Sequence, residues 1–181
     1  MLALLDSMAA QFPNLITLKQ PIGAGLTIEN RPVYYVKISD NPTVNETEPE
    51  VLYTAVHHAR EPGGMSQMIY YMYYLLEHYS TDPDIQALVD NTEMYFVPCV
   101  NPDGYLENEA TDPSGGGLWR KNKRDNLDGT FGVDLNRNYG YNWGFDNNGS
   151  SPFTGDNTYR GTVGFSEPET QMLSDFVIAH D

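Results

Sequence analysis

The chain has 181 residues, of which 40% are hydrophobic and 12% aromatic, and a formal net charge of −15. This length and apolar content suit one domain or a piece of a larger one, and they exclude wholesale disorder. So acidic a composition argues against nucleic acid and anionic membranes as partners. The single cysteine, Cys99, excludes an internal disulfide and a cysteine-based zinc site. No apolar run reaches the length of a membrane span, and the N-terminal residues lack the basic region of a signal peptide.

Hydrophobic periodicity predicts alternating helices and strands along the first half of the chain. The predicted elements are a helix over residues 2–12, strands over 15–20 and 33–39, a loop over 40–49, a strand over 51–56, helices over 65–79 and 84–90, and a strand over 93–98. The strand, helix and strand in the middle predict a parallel pairing with a right-handed crossover, and hence an α/β fold. From residue 101 to about 161 no periodicity is sustained, and so long a stretch without it is commonly functional.

Three local patterns add detail to these elements. Ser166 followed by Glu169 is a capping box, which predicts that a last helix begins there. The methionines and tyrosines of the helix over residues 65–79 form one stripe, which indicates core packing rather than a cofactor site. Residues 146–150 could ligate calcium, although a plain Asx turn is the commoner structure for such a sequence.

The stretch from Glu50 to Gly64, EVLYTAVHHAREPGG, joins a buried strand to a helix through polar residues. In open α/β sheets ligands bind where strands end, which draws attention to His58 and Glu61. An imidazole and a carboxylate are ligands that zinc accepts in catalytic sites. Pro62 disfavours the α conformation at Glu61, so the pair is expected on a turn. A bare His-x-x-Glu also fits a solvated loop, and other motifs have to decide between the two interpretations.

Three arginines accompany this candidate site. Arg60 lies within the same stretch, Arg120 within LWRKN and Arg137 within GVDLNRN. A guanidinium offers a planar fork of donors that suits a carboxylate or an oxyanion. In so acidic a protein, each arginine on its own is also explained by a surface ion pair.

Five motifs, in this order, resemble the M14 zinc carboxypeptidases and are closest to bacterial members of the carboxypeptidase A/T type: HHARE, VNPDGY, WRKN, GVDLNRNY and YRGTVGFSEPET. The resemblance covers nearly the whole chain. It implies a mixed, mostly parallel central sheet flanked by helices, in which residues 1–181 are the N-terminal portion of a single catalytic domain.

The resemblance also implies roles for individual residues. His58 and Glu61 would bind zinc, and Arg120 would polarise the scissile carbonyl and stabilise its oxyanion. The terminal carboxylate of the substrate would be bound by Asn136 and Arg137. A further residue, Arg60, would line the next subsite.

Several residues of the family are expected outside these 181 residues. The family's third zinc ligand is a histidine that follows the SEPET helix, and its general-base glutamate and covering tyrosine come later still. His180 is not expected to replace that ligand, because it shares one helical stripe with Leu173 and Phe176. Family members often have an arginine where this chain has Gly117. On this interpretation the 181 residues alone show little or no hydrolysis.

The parent protein is therefore expected to be a secreted or periplasmic zinc-dependent metallocarboxypeptidase that acts on peptide and protein C-termini, with no nucleic acid or membrane partner. Two alternatives stay open: a peptidoglycan-directed or side-chain-directed member of the family, and a non-catalytic module that binds peptide carboxylates. The strand over residues 51–56 is expected to pair on one side with that over 93–98. Its other side would pair beyond residue 181, so Leu52, Ala55 and Val56 would lie on an open edge through which the chain self-associates.

Overall fold

The computed structural model describes residues 1–180. These residues form two compact units. The first comprises Met1–Pro21, Tyr34–Ala55 and Gly63–Pro98, and the second comprises Ile22–Val33, Val56–Pro62 and the chain from Cys99 onward. None of the helices in residues 1–180 has the length and apolarity that a membrane-spanning segment requires.

A four-stranded mixed sheet organises the first unit. Its strands are β1 (Gln20–Pro21), β2 (Tyr34–Ile38), β3 (Glu50–Thr54) and β4 (Glu93–Val97), in the spatial order β1-β2-β4-β3. β2 pairs antiparallel with both β1 and β4, whereas β3 and β4 are parallel, as the strand-helix-strand pattern predicted. Every residue of β4 is buried, while β3 lies at the edge of the sheet formed by the described residues.

Three helices complete the first unit: α1 (Leu2–Gln11), α2 (Gly63–His78) and α3 (Pro83–Val89). The side chains of α2 that recur at helical spacing are buried, which confirms that its methionines serve packing; these are Met65, Met68, Met72, Leu75 and Leu76. Phe96 of β4 is fully buried, and its ring stacks on that of Tyr53 with centroids 4.9 Å apart. The core of this unit is therefore built from the periodic positions that the sequence analysis identified.

The structure changes two strand predictions for the first half of the chain. The strand over residues 15–20 is reduced to an isolated bridge between Ile16 and Ile38, followed by the two residues of β1. β3 ends at Thr54 rather than at residue 56, and Val56 has a positive φ of 55°, which interrupts extended backbone. Ala55 and Val56 are buried, with 8% and 5% exposure, and so do not belong to an open edge.

The second unit contains α4 (Pro102–Thr111), a short 3-10 helix (Leu135–Arg137) and α5 (Pro168–Ala179). α4 lies within the stretch for which the sequence analysis predicted no regular element. Its N-cap, Asn101, accepts a hydrogen bond from the backbone N–H of Gly104 at 3.0 Å. A proline follows at the first helical position, where its missing N–H costs nothing.

The capping box predicted for α5 is wrong. The N-cap is Glu167, which makes no side-chain capping hydrogen bond, and Ser166 Oγ instead donates to the Glu167 carboxylate at 2.7 Å. Glu169 does not reach back to the helix start, because its buried side chain accepts from Asn122 at 3.2 Å.

The Asx turn predicted near residue 146 is confirmed, since the backbone N–H of Asn148 donates to the Asp146 side chain at 2.8 Å.

Candidate active site

His58 and Glu61 lie on a turn of the second unit, as predicted. The backbone N–H of Glu61 donates to the His58 carbonyl at 3.0 Å, and Pro62 follows directly. The turn brings the two side chains together, with His58 Nδ1 3.0 Å from Glu61 Oε2. The imidazole is largely buried and the Glu61 side chain is 58% exposed. A nitrogen and an oxygen donor atom therefore lie side by side, one of them accessible from solvent.

Asp134 connects His58 to Arg120. Its side chain is fully buried, and its Oδ1 lies 3.0 Å from His58 Nε2. Its Oδ2 accepts two hydrogen bonds from Arg120, from Nε at 3.2 Å and from Nη2 at 2.8 Å. A carboxylate that contacts one ring nitrogen of a histidine fixes the orientation of the ring. The two ring nitrogens of His58 thus each lie 3.0 Å from a carboxylate oxygen, Nε2 from that of Asp134 and Nδ1 from that of Glu61.

The Arg120 guanidinium also approaches the exposed carboxylate. Its Nη1 lies 3.6 Å from Glu61 Oε1. The structure thus brings together three of the six residues that the sequence analysis selected: His58, Glu61 and Arg120. Because Asp134 is buried, its charge acts on His58 and Arg120 with little screening by solvent.

The backbone around this cluster is held by Asn101, which is fully buried. Its side-chain amide donates to the carbonyl of His57 at 3.2 Å and to that of Lys121 at 3.1 Å. These carbonyls flank His58 on one segment and Arg120 on the other. The same two segments are joined directly, because the backbone N–H of Ala59 donates to the Arg120 carbonyl at 3.0 Å.

Gly104 allows these segments to approach each other closely. A Cβ at this position would lie 2.6 Å from the Lys121 carbonyl oxygen and 2.7 Å from the Ala59 Cβ. Such distances cannot be accommodated without moving the backbone, so only glycine fits there. The glycine of the VNPDGY motif therefore has a packing role beside the cluster.

Asn136 and Arg137 lie in the 3-10 helix that follows Asp134. The backbone N–H of Asn136 donates to Asp134 Oδ1 at 3.1 Å, which caps this helix. Arg137 donates from Nε to the Gly149 carbonyl at 2.6 Å and from Nη1 to the Asn136 carbonyl at 3.1 Å. Within residues 1–180, neither side chain hydrogen-bonds to the cluster of His58, Glu61 and Arg120. Both stay predicted substrate-binding residues.

The hydrogen-bond acceptor nearest to Arg60 in the structure is a backbone carbonyl outside the cluster. Arg60 is exposed, and its Nη1 lies 3.5 Å from the Leu118 carbonyl, at the limit of a hydrogen bond. It borders a cavity of about 250 Å³ in the second unit. The predicted role of Arg60 in lining a subsite stays a prediction, and this cavity is where it would act.

His57, the residue before His58, is half-buried and contacts Tyr139. Its Nε2 lies 2.7 Å from the Tyr139 hydroxyl. Burial, assisted by the neighbouring His58, lowers the pKa of His57 to about 4, while burial raises the pKa of Tyr139. His57 is therefore neutral at physiological pH and ties the turn to the chain that follows Arg137.

The side chains of His58 and Glu61 are of the kinds that bind zinc. His58 offers a nitrogen and Glu61 an oxygen, which are ligand atoms that zinc takes in catalytic sites. The carboxylate behind His58 is the arrangement found around most metal-binding histidines. His180, which the sequence analysis rejected as a ligand, lies at the end of α5 with Nδ1 2.7 Å from the Phe176 carbonyl.

Other possible metal ligands lie elsewhere. Among the described residues, the one group of three acidic, histidine or cysteine side chains with closely spaced ligand atoms is Asp40, Glu46 and Glu48, in the first unit. Such groups are common on protein surfaces without a metal. Among residues 1–180, His58 and Glu61 do not form such a group with a third acidic, histidine or cysteine side chain.

Sequence reasoning missed Asp134 and Asn101. Both were visible within quoted motifs, Asp134 in GVDLNRNY and Asn101 in VNPDGY, but neither carries a local signal of its role. Asp134 is 76 residues from His58 and Asn101 is 44 residues from His57. A signal that could have been used is that a short acidic residue two positions before Asn136 commonly caps the turn that follows.

Comparison with known proteins places these observations in context. The chain matches the family described as zinc carboxypeptidase over residues 1–181. It is 39% identical over 140 residues to a zinc carboxypeptidase of Saccharothrix mutabilis subsp. capreolus, covering 77% of this chain and 31% of that protein. It is 31% identical over 173 residues to the inactive metallocarboxypeptidase ECM14 of Ajellomyces dermatitidis, covering 94% of this chain and 28% of that protein.

The fold is shared with solved structures. The carboxypeptidase A of Helicoverpa armigera superposes with a TM-score of 0.81 at 31% identity, covering 97% of this chain and 40% of that one. The chain thus spans about a third of the length of the curated relatives that it matches, 31% of the first and 39% of the second.

Proposed function

The chain belongs to the zinc carboxypeptidase family, and on this basis we propose that its parent protein is a zinc-dependent metallocarboxypeptidase that hydrolyses the C-terminal peptide bond of peptides and proteins. The observation that carries the proposal is the position of Asp134, whose buried carboxylate contacts both His58 and Arg120. One group thereby orients a metal ligand and an anion-binding residue. A surface ion pair would need neither the burial nor the second partner.

In the proposed site His58 and Glu61 hold zinc, His58 through Nδ1. The family's third ligand, a histidine, is proposed to come from outside residues 1–181. Bound zinc supplies a Lewis acid that lowers the pKa of a water molecule and polarises a carbonyl. The contact of Asp134 with His58 Nε2 fixes the ring so that Nδ1 is presented to the metal. The Glu61 side chain is exposed, so it can rotate towards a metal without unburying other groups.

Arg120 is proposed to bind the scissile carbonyl oxygen. Its contacts with Asp134 use Nε and Nη2, and they orient the guanidinium while Nη1 points towards Glu61. A preorganised cation at the position where negative charge develops stabilises the transition state more than the ground state. The proton acceptor for water is proposed to be the family's general-base glutamate, also outside residues 1–181.

Asn136 and Arg137 are proposed to bind the terminal carboxylate of the substrate. Both lie in the 3-10 helix that Asp134 caps, so the residue that contacts His58 and Arg120 also fixes the start of the helix that carries them. The contact of Arg137 with the Gly149 carbonyl fixes the direction of its side chain. A guanidinium offers a bidentate fork to a carboxylate, which would select peptides with a free C-terminus.

The proposal is tested by comparing free and amidated peptides with the full-length protein. Arg137→Ala should weaken binding of free C-terminal peptides by about 2–5 kcal/mol and leave amidated ones almost unchanged. Arg137→Lys, the control that keeps the charge and loses the fork, should give an intermediate loss. Equal losses on both kinds of peptide would contradict the role of Arg137. Arg120→Lys should lower kcat more than it raises KM, and a change in KM alone would contradict the oxyanion role.

A second candidate is a non-catalytic module that binds peptide carboxylates through Asn136 and Arg137. It is favoured by the likeness to an inactive metallocarboxypeptidase. Hydrolysis by the full-length protein decides between the two: peptide binding that depends on Arg137, without release of the last residue at any zinc concentration, would replace the catalytic proposal.

The proposal extends to organisation and compartment. Residues 1–181 are proposed to be the N-terminal portion of a single catalytic domain, in a protein that is secreted or periplasmic. The support is the resemblance to the family and the match over the whole chain. Limited proteolysis of the full-length protein tests the first point, because cleavage into independently folded pieces near residue 181 would contradict a single domain. Cell fractionation tests the second.

A further inference from the structure

A cavity of about 250 Å³ in the second unit borders the turn that carries His58 and Glu61. One wall is formed by Ala59, Arg60 and Pro62, the residues interleaved with the two proposed ligands. The other wall is the end of α4 and the loop that follows it. The volume lies below the usual range for drug-sized ligands and suits one amino-acid side chain.

The lining of this cavity is acidic. Glu109 lies in the last turn of α4 and Asp112 is the C-cap of this helix, and both line the cavity. In the part of the chain that the structure describes, neither carboxylate forms a salt bridge, whereas Glu107 on the same helix pairs with Lys123 at 2.9 Å. Arg60 is the single cation of the lining, and its nearest hydrogen-bond acceptor is a backbone carbonyl. Two carboxylates and one guanidinium thus line the same cavity.

The shape of the cavity is fixed by a glycine segment, Gly115–Gly117, that adds no side chain to it. A Cβ at Gly117 would lie 2.5 Å from the Asn108 side-chain oxygen, so this position accepts only glycine without rearrangement. Asn108 is itself held by two reciprocal hydrogen bonds with the backbone of Trp119, each 2.8 Å long. The wall is therefore built into the fold next to Arg120.

We propose that this cavity binds the cationic side chain of a lysine or arginine that precedes the scissile bond of the substrate. The proposal rests on the proposed function, in which Arg120 and Arg137 take the scissile carbonyl and the terminal carboxylate. The residues on the amino side then extend away from Arg137. The alkyl stem of the side chain packs on Pro62 and Tyr105, as long cationic side chains do on apolar surface.

The charge arrangement explains why a cation is favoured. The head group of lysine or arginine reaches Glu109 and Asp112, which have no competing ion pair. Arg60 donates to a backbone carbonyl of the bound peptide, as it does to the carbonyl of Leu118. An acidic side chain in the same place would face two carboxylates, and like charges at contact are unfavourable.

The test compares peptides that differ in one residue, with lysine, norleucine or glutamate placed in turn at each of the positions before the scissile bond. With the full-length protein, kcat/KM at one position should be about three- to tenfold higher for lysine than for norleucine, as expected for two partly exposed carboxylates. The preference should disappear in the double variant Glu109→Gln, Asp112→Asn. It should persist in the control Glu107→Gln, which removes one negative charge from the same helix outside the cavity.

Salt and binding measurements separate this proposal from the proposed function. The lysine preference should shrink at about 1 M salt, because exposed charges are screened. Equal rates for lysine and norleucine, or a preference for glutamate, would overturn the cavity assignment while peptide hydrolysis stands. If no peptide is hydrolysed, the proposed function fails, and equilibrium binding of the same peptides decides the cavity. Lysine-selective binding that is lost in the double variant supports it, and equal binding overturns it.

Discussion

Glu169 gives the sharpest prediction for the stability of this protein. It lies in the first turn of α5 with 1% exposure, and its Oε2 accepts from Asn122 at 3.2 Å while its Oε1 has no hydrogen-bond partner. Burial raises the pKa of Glu169 from its ordinary value of 4.5 to about 7, and the nearby carboxylates of Glu167 and Asp103 add to the effect. Arg124 does not offset this, because it pairs with Glu167 at 2.8 Å.

The sign of the pH dependence follows from this raised pKa. Between pH 4.5 and about 7 the folded protein keeps a proton on Glu169 that the unfolded chain has lost, so the free energy of unfolding falls as pH rises. The difference between 4.5 and about 7 corresponds to about 3 kcal/mol. This destabilisation is nearly absent at pH 4.5 and complete above pH 7.

Glu169→Gln removes the ionisable group and keeps the carbonyl that accepts from Asn122. We expect the free energy of unfolding of the variant to be higher than that of the wild type by about 1–3 kcal/mol at pH 8. At pH 4.5 the difference should be less than about 0.5 kcal/mol. Urea unfolding at both pH values measures it. The control is Asp175→Asn, which removes the same charge from an exposed position of α5 and should shift stability by less than about 0.5 kcal/mol. If the difference between Glu169→Gln and wild type is the same at both pH values, the reasoning is refuted.

The remaining predictions concern metal binding and association of the 181-residue chain. Isothermal titration should show weak zinc binding that is unchanged by His180→Ala, since His58 and Glu61 supply two ligands only; tight binding abolished by His180→Ala would show that this residue is the third ligand. Light scattering should show self-association through the open edge of β3, reduced by Val51→Lys and unaffected by Val177→Lys, a comparably exposed valine on α5. A stable monomer with slow amide exchange along β3 would contradict this.

The sequence predicted the elements whose periodicity is set by burial. α2 and β4 were found within two residues of their observed ends, because their apolar positions face one core. The family and the mixed α/β fold were also predicted, and both are confirmed. α4 was missed because no apolar periodicity is sustained in the stretch from residue 101 onward. It forms around a buried Asp103, which accepts from Thr27, a residue 76 positions away.

The part of the candidate site that was predicted consists of residues close in sequence or within a recognisable motif. His58 and Glu61 are three residues apart, so their approach could be expected from a turn alone, and motif resemblance added Arg120. The role of Asp134 depends on contacts with residues distant in sequence, which no local pattern encodes. The failed capping box has the same origin: Glu169 has the right spacing to cap α5, but its side chain is drawn into a contact with Asn122. Tertiary hydrogen bonds decided each of these cases against local propensity.

The single carboxylate shared by His58 and Arg120 couples the effects of engineering the two residues. A ligand that moves the guanidinium away from Asp134 strengthens the electrostatic interaction of this carboxylate with the imidazole. A ligand that binds the imidazole changes the interaction of Asp134 with the guanidinium in the same way. Free-energy linkage of this kind is reciprocal, so occupancy at one residue alters affinity at the other by the same factor. Substitutions at the two positions should therefore be non-additive. A redesign that treats the cation site and the anion site as independent modules will change both at once.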